Sequence, residues 1–222
     1  MAAAARSDPC NSGTRRKISD TDSCRNCRQN ELDEETDRLM TENNLQSNLA
    51  FRLMALKFRL RDWMHPPAEI LQAAGLKPGM SVLDFGCGPG GFSLAAARLV
   101  GPGAQVYAVD IHPLALEMVR AAADRQGLRN IQTVGGEKLA DIPEASIDLV
   151  LLYDVLHELP EPGRVLIKLH QLLKPEGVLS LSDHHLKKEK LLALAAECHF
   201  TLLPAGNQTL QFSKKTPSRE IS

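Results

Sequence analysis

The four residues Val82 to Phe85 run directly into Gly86-Cys87-Gly88-Pro89-Gly90-Gly91, and the chain continues as the apolar segment Phe92 to Val100. A short apolar run closed by clustered glycines and followed by a helical pattern reads as strand, tight turn and helix, the opening unit of a βαβ fold. Glycines in such a turn permit backbone angles and a closeness of approach that a Cβ forbids. Successive amides of the turn, together with the helix N-terminus, can meet electronegative atoms of a ligand. A tight turn with no ligand is the competing reading. Acidic residues placed at neighbouring strand ends favour the binding role.

The chain beyond repeats the alternation. Gln105 to Asp110 is a second expected strand, His112-Pro113 begins a helix that runs to about Gln126 with Gly127 at its end, and Asn130 to Val134 is a third strand. Ile147 to Tyr153 is apolar almost throughout, as in a central parallel strand buried on both faces. A helix from Pro162 or Gly163 to Leu173 is terminated by Pro175, and Gly177 to Ser182 supplies a fifth strand. Single helices between successive strands imply right-handed crossovers and an open parallel sheet covered on both faces. The last stretch departs from this pattern, with a helix from Lys187 to Glu197, a strand from Phe200 to Leu203, a Gly206-Asn207 turn and a strand from Thr209 to Phe212. Strands joined so closely are antiparallel neighbours.

A chain of 222 residues accommodates one such domain with weakly structured ends. Residues 1–44 are polar and charged and are expected to be disordered, with a short acidic helix near Glu31 to Met40. Residues 45–75 interleave Leu49, Phe51, Phe58 and Trp63 with Arg52, Lys57, Arg59 and Arg61, a helical lid or docking segment that Pro66 and Pro67 interrupt. Residues 76–214 form the main domain, and 215–222 a loose tail. A formal net charge of -1 gives no general attraction to nucleic acid or an anionic membrane. Apolar runs are broken short of membrane-spanning length, and no apolar signal core follows Met1 to Ala5, so a cytoplasmic protein without stable membrane insertion is expected. The five cysteines, Cys10, Cys24, Cys27, Cys87 and Cys198, form no disulfide framework, and Cys24-Arg25-Asn26-Cys27 lacks the further ligands of a zinc site.

Asp110, closing the second strand, can accept both hydroxyl hydrogens of a ribose, a task shared by sheets that bind NAD and sheets that bind S-adenosylmethionine. Asp84 argues for the latter. A carboxylate two residues before the first glycine is poor company for a pyrophosphate but suits the ammonium end of an amino-acid-like ligand. The terminal antiparallel pair in place of a second mononucleotide-binding half points the same way.

Together these segments resemble the class I S-adenosylmethionine-dependent methyltransferase family, in particular a methyltransferase type 11-like domain, over about Asp62 to Lys214. Asp84 to Gly91 is similar to its glycine-rich motif, Val106 to Asp110 to its acidic second strand, Asp148 to Glu158 to the strand and loop facing the methyl donor, and Leu172 to Val178 to the turn before the fifth strand, with Glu176 where a glycine is usual. The resemblance implies an α/β fold, a Rossmann-like seven-stranded mostly parallel sheet with helices on both faces and a C-terminal antiparallel strand pair. It also implies S-adenosyl-L-methionine as cofactor, held by Asp84, Gly86, Cys87, Gly88 and Gly90 at methionine, Asp110 at the ribose and Ile111 at one adenine face, with Tyr153 shaping the pocket. Glu137 stands near the family's acid after the third strand, in a different local sequence, with a surface acid as the alternative.

Methyl transfer requires a nucleophile in line with the sulfonium carbon and a base only where the nucleophile starts protonated. His157, beyond the fourth strand and followed by Glu158, is the candidate base, because an imidazole with an ordinary pKa of about 6.5 can take a proton near neutrality. Bracing the turn is its structural alternative. Asp183-His184-His185 could join His157 in a metal or substrate shell, but loop solvation is the simpler reading, and no metal is assigned. The motif Asn/Asp-Pro-Pro-Tyr is missing after the fourth strand, where Tyr153-Asp154-Val155-Leu156 stands instead. That favours a small-molecule methyl acceptor over nucleic acid. An RNA or protein acceptor, or a noncatalytic cofactor-binding interaction module, remains the alternative.

Overall fold

Apolar residues on alternating and continuous strand positions build a sheet with two buried faces, and the computed structural model describes it over residues 66–204 and 209–214. The expected N-terminal tail and helix, the Cys24 and Cys27 pair, the Gly206-Asn207 turn and the tail after Lys214 lie outside the described residues. In chain order the elements are α1 (Pro67–Ala73), β1 (Val82–Phe85), α2 (Gly91–Val100), β2 (Val106–Asp110), α3 (Pro113–Arg125), β3 (Ile131–Gly135), a 3-10 turn (Gly136–Asp141), β4 (Ile147–Tyr153), α4 (Pro162–Leu172), β5 (Leu173–Ser182), α5 (Lys188–Glu197), β6 (Phe200–Leu202) and β7 (Leu210–Lys214). They form one seven-stranded sheet in the order β3-β2-β1-β4-β5-β7-β6. The first five strands run parallel, and β7 is antiparallel to both β5 and β6. This is the α/β architecture expected from the sequence.

Helix boundaries follow local chemistry. Proline occupies the first turn of α1, α3 and α4, where its missing N–H costs nothing. The His112 ring caps α3 by accepting the Leu114 N–H at 3.2 Å, and Gly127, with φ of 66°, turns the chain away after its end. One face of the sheet packs Val82, Val106, Leu149 and Leu151 against Leu71, Ala96 and Val100 from α1 and α2. On the same face Ala108 meets Leu116 and Val119 of α3. The other face packs Leu83, Phe85, Val150, Leu152, Leu179 and Leu181 against α4 and α5.

The start of β5 differs from the expected turn. The strand begins at Leu173, directly after α4, and takes Lys174-Pro175-Glu176 into an irregular bulge, because the step from Ile147 to Leu149 on β4 is matched by Leu173 to Val178 on β5. Asp148 stabilises this bulge: one carboxylate oxygen accepts the Ser81 N–H and the Lys174 ammonium, both at 2.8 Å. Gly177 completes it, since a Cβ there would stand 2.9 Å from the Ile147 carbonyl oxygen. Pro175 therefore ends the helix as its type suggests, while pairing with β4 extends the strand across it.

Leu152, in the middle of the sheet, is fully buried. Leu152→Ala is expected to lower the free energy of unfolding by about 2–5 kcal/mol through lost burial and the resulting cavity, measured by chemical denaturation.

Candidate functional site

The carboxyl ends of β1, β2, β3, β4 and β5 are brought to one edge of the sheet by the register Phe85 to Val109, Asp110 to Gly135, Phe85 to Leu152 and Tyr153 to Ser182. The glycine turn, Asp110, Ile111, Glu137, Tyr153 and His157 all follow from those strand ends. Open parallel sheets bind ligands at this edge, near the crevice where strand order reverses, here between β1 and β4.

The turn is stitched to β2. The Val109 carbonyl oxygen accepts N–H groups from Gly86 at 2.8 Å and Cys87 at 2.9 Å, Asp110 Oδ2 accepts the Gly88 N–H at 2.8 Å, and the Gly90 N–H is donated to the Cys87 carbonyl at 3.0 Å. Four amides expected to point at a ligand are thus engaged within the fold. The glycines serve chiefly as conformation and clearance. Gly86, Gly88 and Gly90 have φ of 75°, 50° and 89°, in the left-handed region. A Cβ on Gly90 would lie 2.7 Å from Cγ2 of Val119, and one on Gly86 would collide with Cγ2 of Val155. The second contact presses the loop that carries His157 onto the glycine turn.

The remaining predicted residues take distinct places. Asp84 is buried on β1 and accepts the Ser93 hydroxyl at 2.5 Å. The Cys87 side chain packs inward with Ala108, Leu116 and Val119. Burial first, then the Asp110 and Asp84 carboxylates, pushes its thiol well above the ordinary value, so it is a neutral apolar filler. Asp110 Oδ1 accepts the His112 N–H at 2.8 Å, and the Ile111 N–H acts on the same carboxylate. Burial raises its pKa, against the opposing effect of those backbone hydrogen bonds. Ile111 is exposed at 39%, an apolar surface beside Asp110 of the kind an adenine face requires. Glu137 is exposed and folds its carboxylate against Gly135, the register partner of Asp110.

Tyr153 turns its ring toward Phe92, with centroids 4.8 Å apart, and its hydroxyl is within 2.7 Å of Ser180, which is itself 2.9 Å from Thr209. Burial raises the Tyr153 pKa despite the Ser180 hydrogen bond. Its hydroxyl is committed to the sheet, and only the ring is available to shape a pocket.

Two carboxylate–imidazole pairs cross between the loops after β4 and β5. Asp183 Oδ2 accepts the His157 N–H at 3.0 Å and contacts His157 Nδ1 at 2.9 Å, while Oδ1 accepts the His185 N–H at 2.9 Å. In the other direction Asp154, with φ of 54°, accepts the His184 N–H at 2.9 Å and meets His184 Nδ1 at 2.7 Å. The His185 ring lies over His157 with centroids 4.1 Å apart. Loop solvation is the simpler expectation for Asp183, His184 and His185; the fold instead brings Asp183 and His185 to His157 and His184 to Asp154. Among the described residues no group of three or more His, Cys, Asp and Glu side chains is arranged to hold a metal ion. Burial works to raise the Asp183 pKa, but hydrogen bonds from His157 and His185 outweigh it, and the carboxyl sits below its ordinary value.

Residues 76–215 match the family profile described as a methyltransferase domain. The chain belongs to the class I S-adenosylmethionine-dependent methyltransferase family. Among curated relatives, a ubiquinone biosynthesis O-methyltransferase from Leptothrix cholodnii is 32% identical over 62% of this chain and 59% of its own length. The mitochondrial ubiquinone biosynthesis O-methyltransferase of Schizosaccharomyces pombe is 30% identical over 69% of this chain and 56% of its own. The chain thus spans little more than half of either relative. The crystal structure of a SAM-dependent methyltransferase from Aquifex aeolicus superposes with a TM-score of 0.59 at 22% identity, covering 67% of this chain and 88% of that one, a likeness of fold. The family is one of methyl transfer from S-adenosylmethionine, and the site fits that donor on its own chemistry: a buried acid at Asp84, a turn cleared of side chains, a carboxylate at Asp110 and an exposed apolar residue beside it.

Two outcomes follow. Gly86→Ala combines a collision with Val155 and a left-handed backbone, and is expected to cost about 1–3 kcal/mol. Adding Val155→Ala should recover only part of this, because the backbone strain stays, as thermal unfolding of both variants will read. Because Asp183 has a lowered pKa in the fold, its stabilising contribution is complete above the ordinary carboxylate value of about 4 and is lost as pH falls through the lower folded value. Unfolding curves taken down that pH range should be steeper for the parent chain than for Asp183→Asn.

Proposed function

We propose that this chain transfers a methyl group from S-adenosylmethionine to an oxygen, nitrogen or other nucleophile of a small molecule, with His157 as the base where the nucleophile begins protonated. The observation that carries the reading is the position of His157 on the β4 loop, which Val155 packs against the glycine turn, so that a proton acceptor stands beside the donor-binding edge. The O-methyltransferase relatives support a small acceptor, and the sequence Tyr153-Asp154-Val155-Leu156 offers no Pro-Pro-Tyr platform for a flipped base.

The donor assignment comes with its residues. Asp84 would face the ammonium of the methionine portion, Asp110 would accept the ribose hydroxyls, Ile111 would cover one adenine face, and Glu137 would approach the adenine amino group from the turn after β3. Bound there, the sulfonium supplies an electrophilic methyl carbon. The chain's own share is alignment, exclusion of water and reception of a proton, terms that act through geometry.

Equilibrium titration with S-adenosylmethionine, its demethylated product and NAD is expected to show micromolar binding of the first two, and selective binding of NAD would sink the proposal. With methyl-labelled donor and fractionated metabolites, RNA and protein extracts, label should enter the metabolite fraction. His157→Ala should then slow transfer by about 10²–10⁴-fold while donor affinity is retained.

A further inference from the structure

Resting on the reading just given, we propose that Asp183 is the positioning residue for His157, holding the proton on Nδ1 so that Nε2 is left as the acceptor, and that the group methylated is accordingly a hydroxyl whose proton must leave during transfer. The argument starts from the donor count. A carboxylate only accepts, so at 2.9 Å from Asp183 Oδ2 the Nδ1 atom must carry the hydrogen. The side chain of Asp183 is fully screened from solvent, whereas that of His157 is 22% exposed. The buried partner therefore fixes the ring by its Nδ1 edge, while the side chain that carries Nε2 keeps part of its surface exposed. A second hydrogen bond, from the His157 N–H to the same oxygen, and a third, from the His185 N–H to the other, prevent the carboxylate from rotating away. Nε2 is 3.7 Å from Glu158 Oε1, beyond hydrogen-bonding distance, and Glu158 is largely exposed. Among the described residues the one ring nitrogen able to take a proton therefore makes no hydrogen bond, and it is left for an incoming group.

This arrangement selects among nucleophiles. A neutral amine or a thioether carries its lone pair already and needs position alone, and an ammonium loses its proton before it can attack, so that no proton leaves it during the transfer itself. A hydroxyl must shed a proton as its oxygen becomes an ether. In the step inferred, an oxygen lone pair forms the bond to the methyl carbon, the carbon–sulfur bond breaks with its electrons returning to sulfur, and the hydroxyl proton passes to His157 Nε2. The imidazolium so formed faces the Asp183 carboxylate, which stabilises it until the proton leaves to water.

The test uses the full chain with ring-nitrogen-labelled histidine, catechol and 4-nitrocatechol, the second having a hydroxyl far more readily ionised. Long-range nitrogen–proton spectra with demethylated cofactor bound should assign the Nδ1–H form to His157, and Asp183→Asn should shift it toward the other tautomer. With unchanged affinity for the demethylated cofactor, Asp183→Asn should lower kcat on catechol by about 10–10³-fold, lower it much less on 4-nitrocatechol, and regain activity on catechol as pH rises. An Nε2–H form in the parent chain, or equal losses on the two phenols, overturns the positioning role. If the parent chain binds donor but methylates neither phenol, the hydroxyl assignment falls while the tautomer spectra still decide for or against Asp183. Absence of donor binding would instead count against the broader methyl-transfer reading.

Discussion

The contact between Gly86 and Val155 is the constraint on which the site depends. Two segments with different tasks meet there: the turn after β1, shaped to receive a donor, and the loop after β4, which carries His157. Because Gly86 has no side chain, Val155 fills the space above it, and the separation between the glycine turn and the loop that carries His157 is set by packing instead of by a flexible connection. The two hydrogen bonds that the Val109 carbonyl accepts from Gly86 and Cys87 make the platform under Val155 part of the sheet. Interiors packed this densely transmit position well and tolerate extra atoms poorly.

Much of the fold was legible in the sequence, for identifiable reasons. β1 and β4 were read at their observed bounds, because both are central strands with almost continuous apolar character and sharp boundaries. The end of α3 was announced by Gly127. The beginning of β5 was not, since Pro175 and Gly177 have the composition of a turn, and only pairing with β4 and the Asp148 hydrogen bonds hold those residues in a strand. Local chemistry named the breakers correctly and could not see the neighbour that overrode them.

The site divides along the same line. Asp110, Ile111 and Glu137 fall where strand ends put them. The internal engagement of the Gly86, Cys87, Gly88 and Gly90 amides was hidden, because a motif gives spacing but says nothing of which acceptors the next strand will offer. Asp183 was legible as a neighbour of His157 at the same sheet edge, but not as its hydrogen-bond partner. Its meeting with His157 requires knowing that Tyr153 lies beside Ser182, and a register is a property of two strands together. Of the adjacent Asp183, His184 and His185, the fold brings the first and third to His157 and the second to Asp154, so that the two acids and two of the histidines pair crosswise.

One topological detail bears on how the chain reaches this state. β7 is the last described strand in chain order, yet it lies inside the sheet, between β5 and β6. During vectorial synthesis the parallel strands through β5 can assemble while β5 still shows an open edge, and β6 has no place to join until residues 210–214 have emerged. Phe212, almost wholly buried, and Thr209, which ends the hydroxyl chain begun at Tyr153, arrive together in that closing segment. Until then the nascent chain presents an unpaired strand edge of the kind that recruits other chains. The last described strand thus covers the β5 edge and at the same time supplies the only described place where β6 can pair.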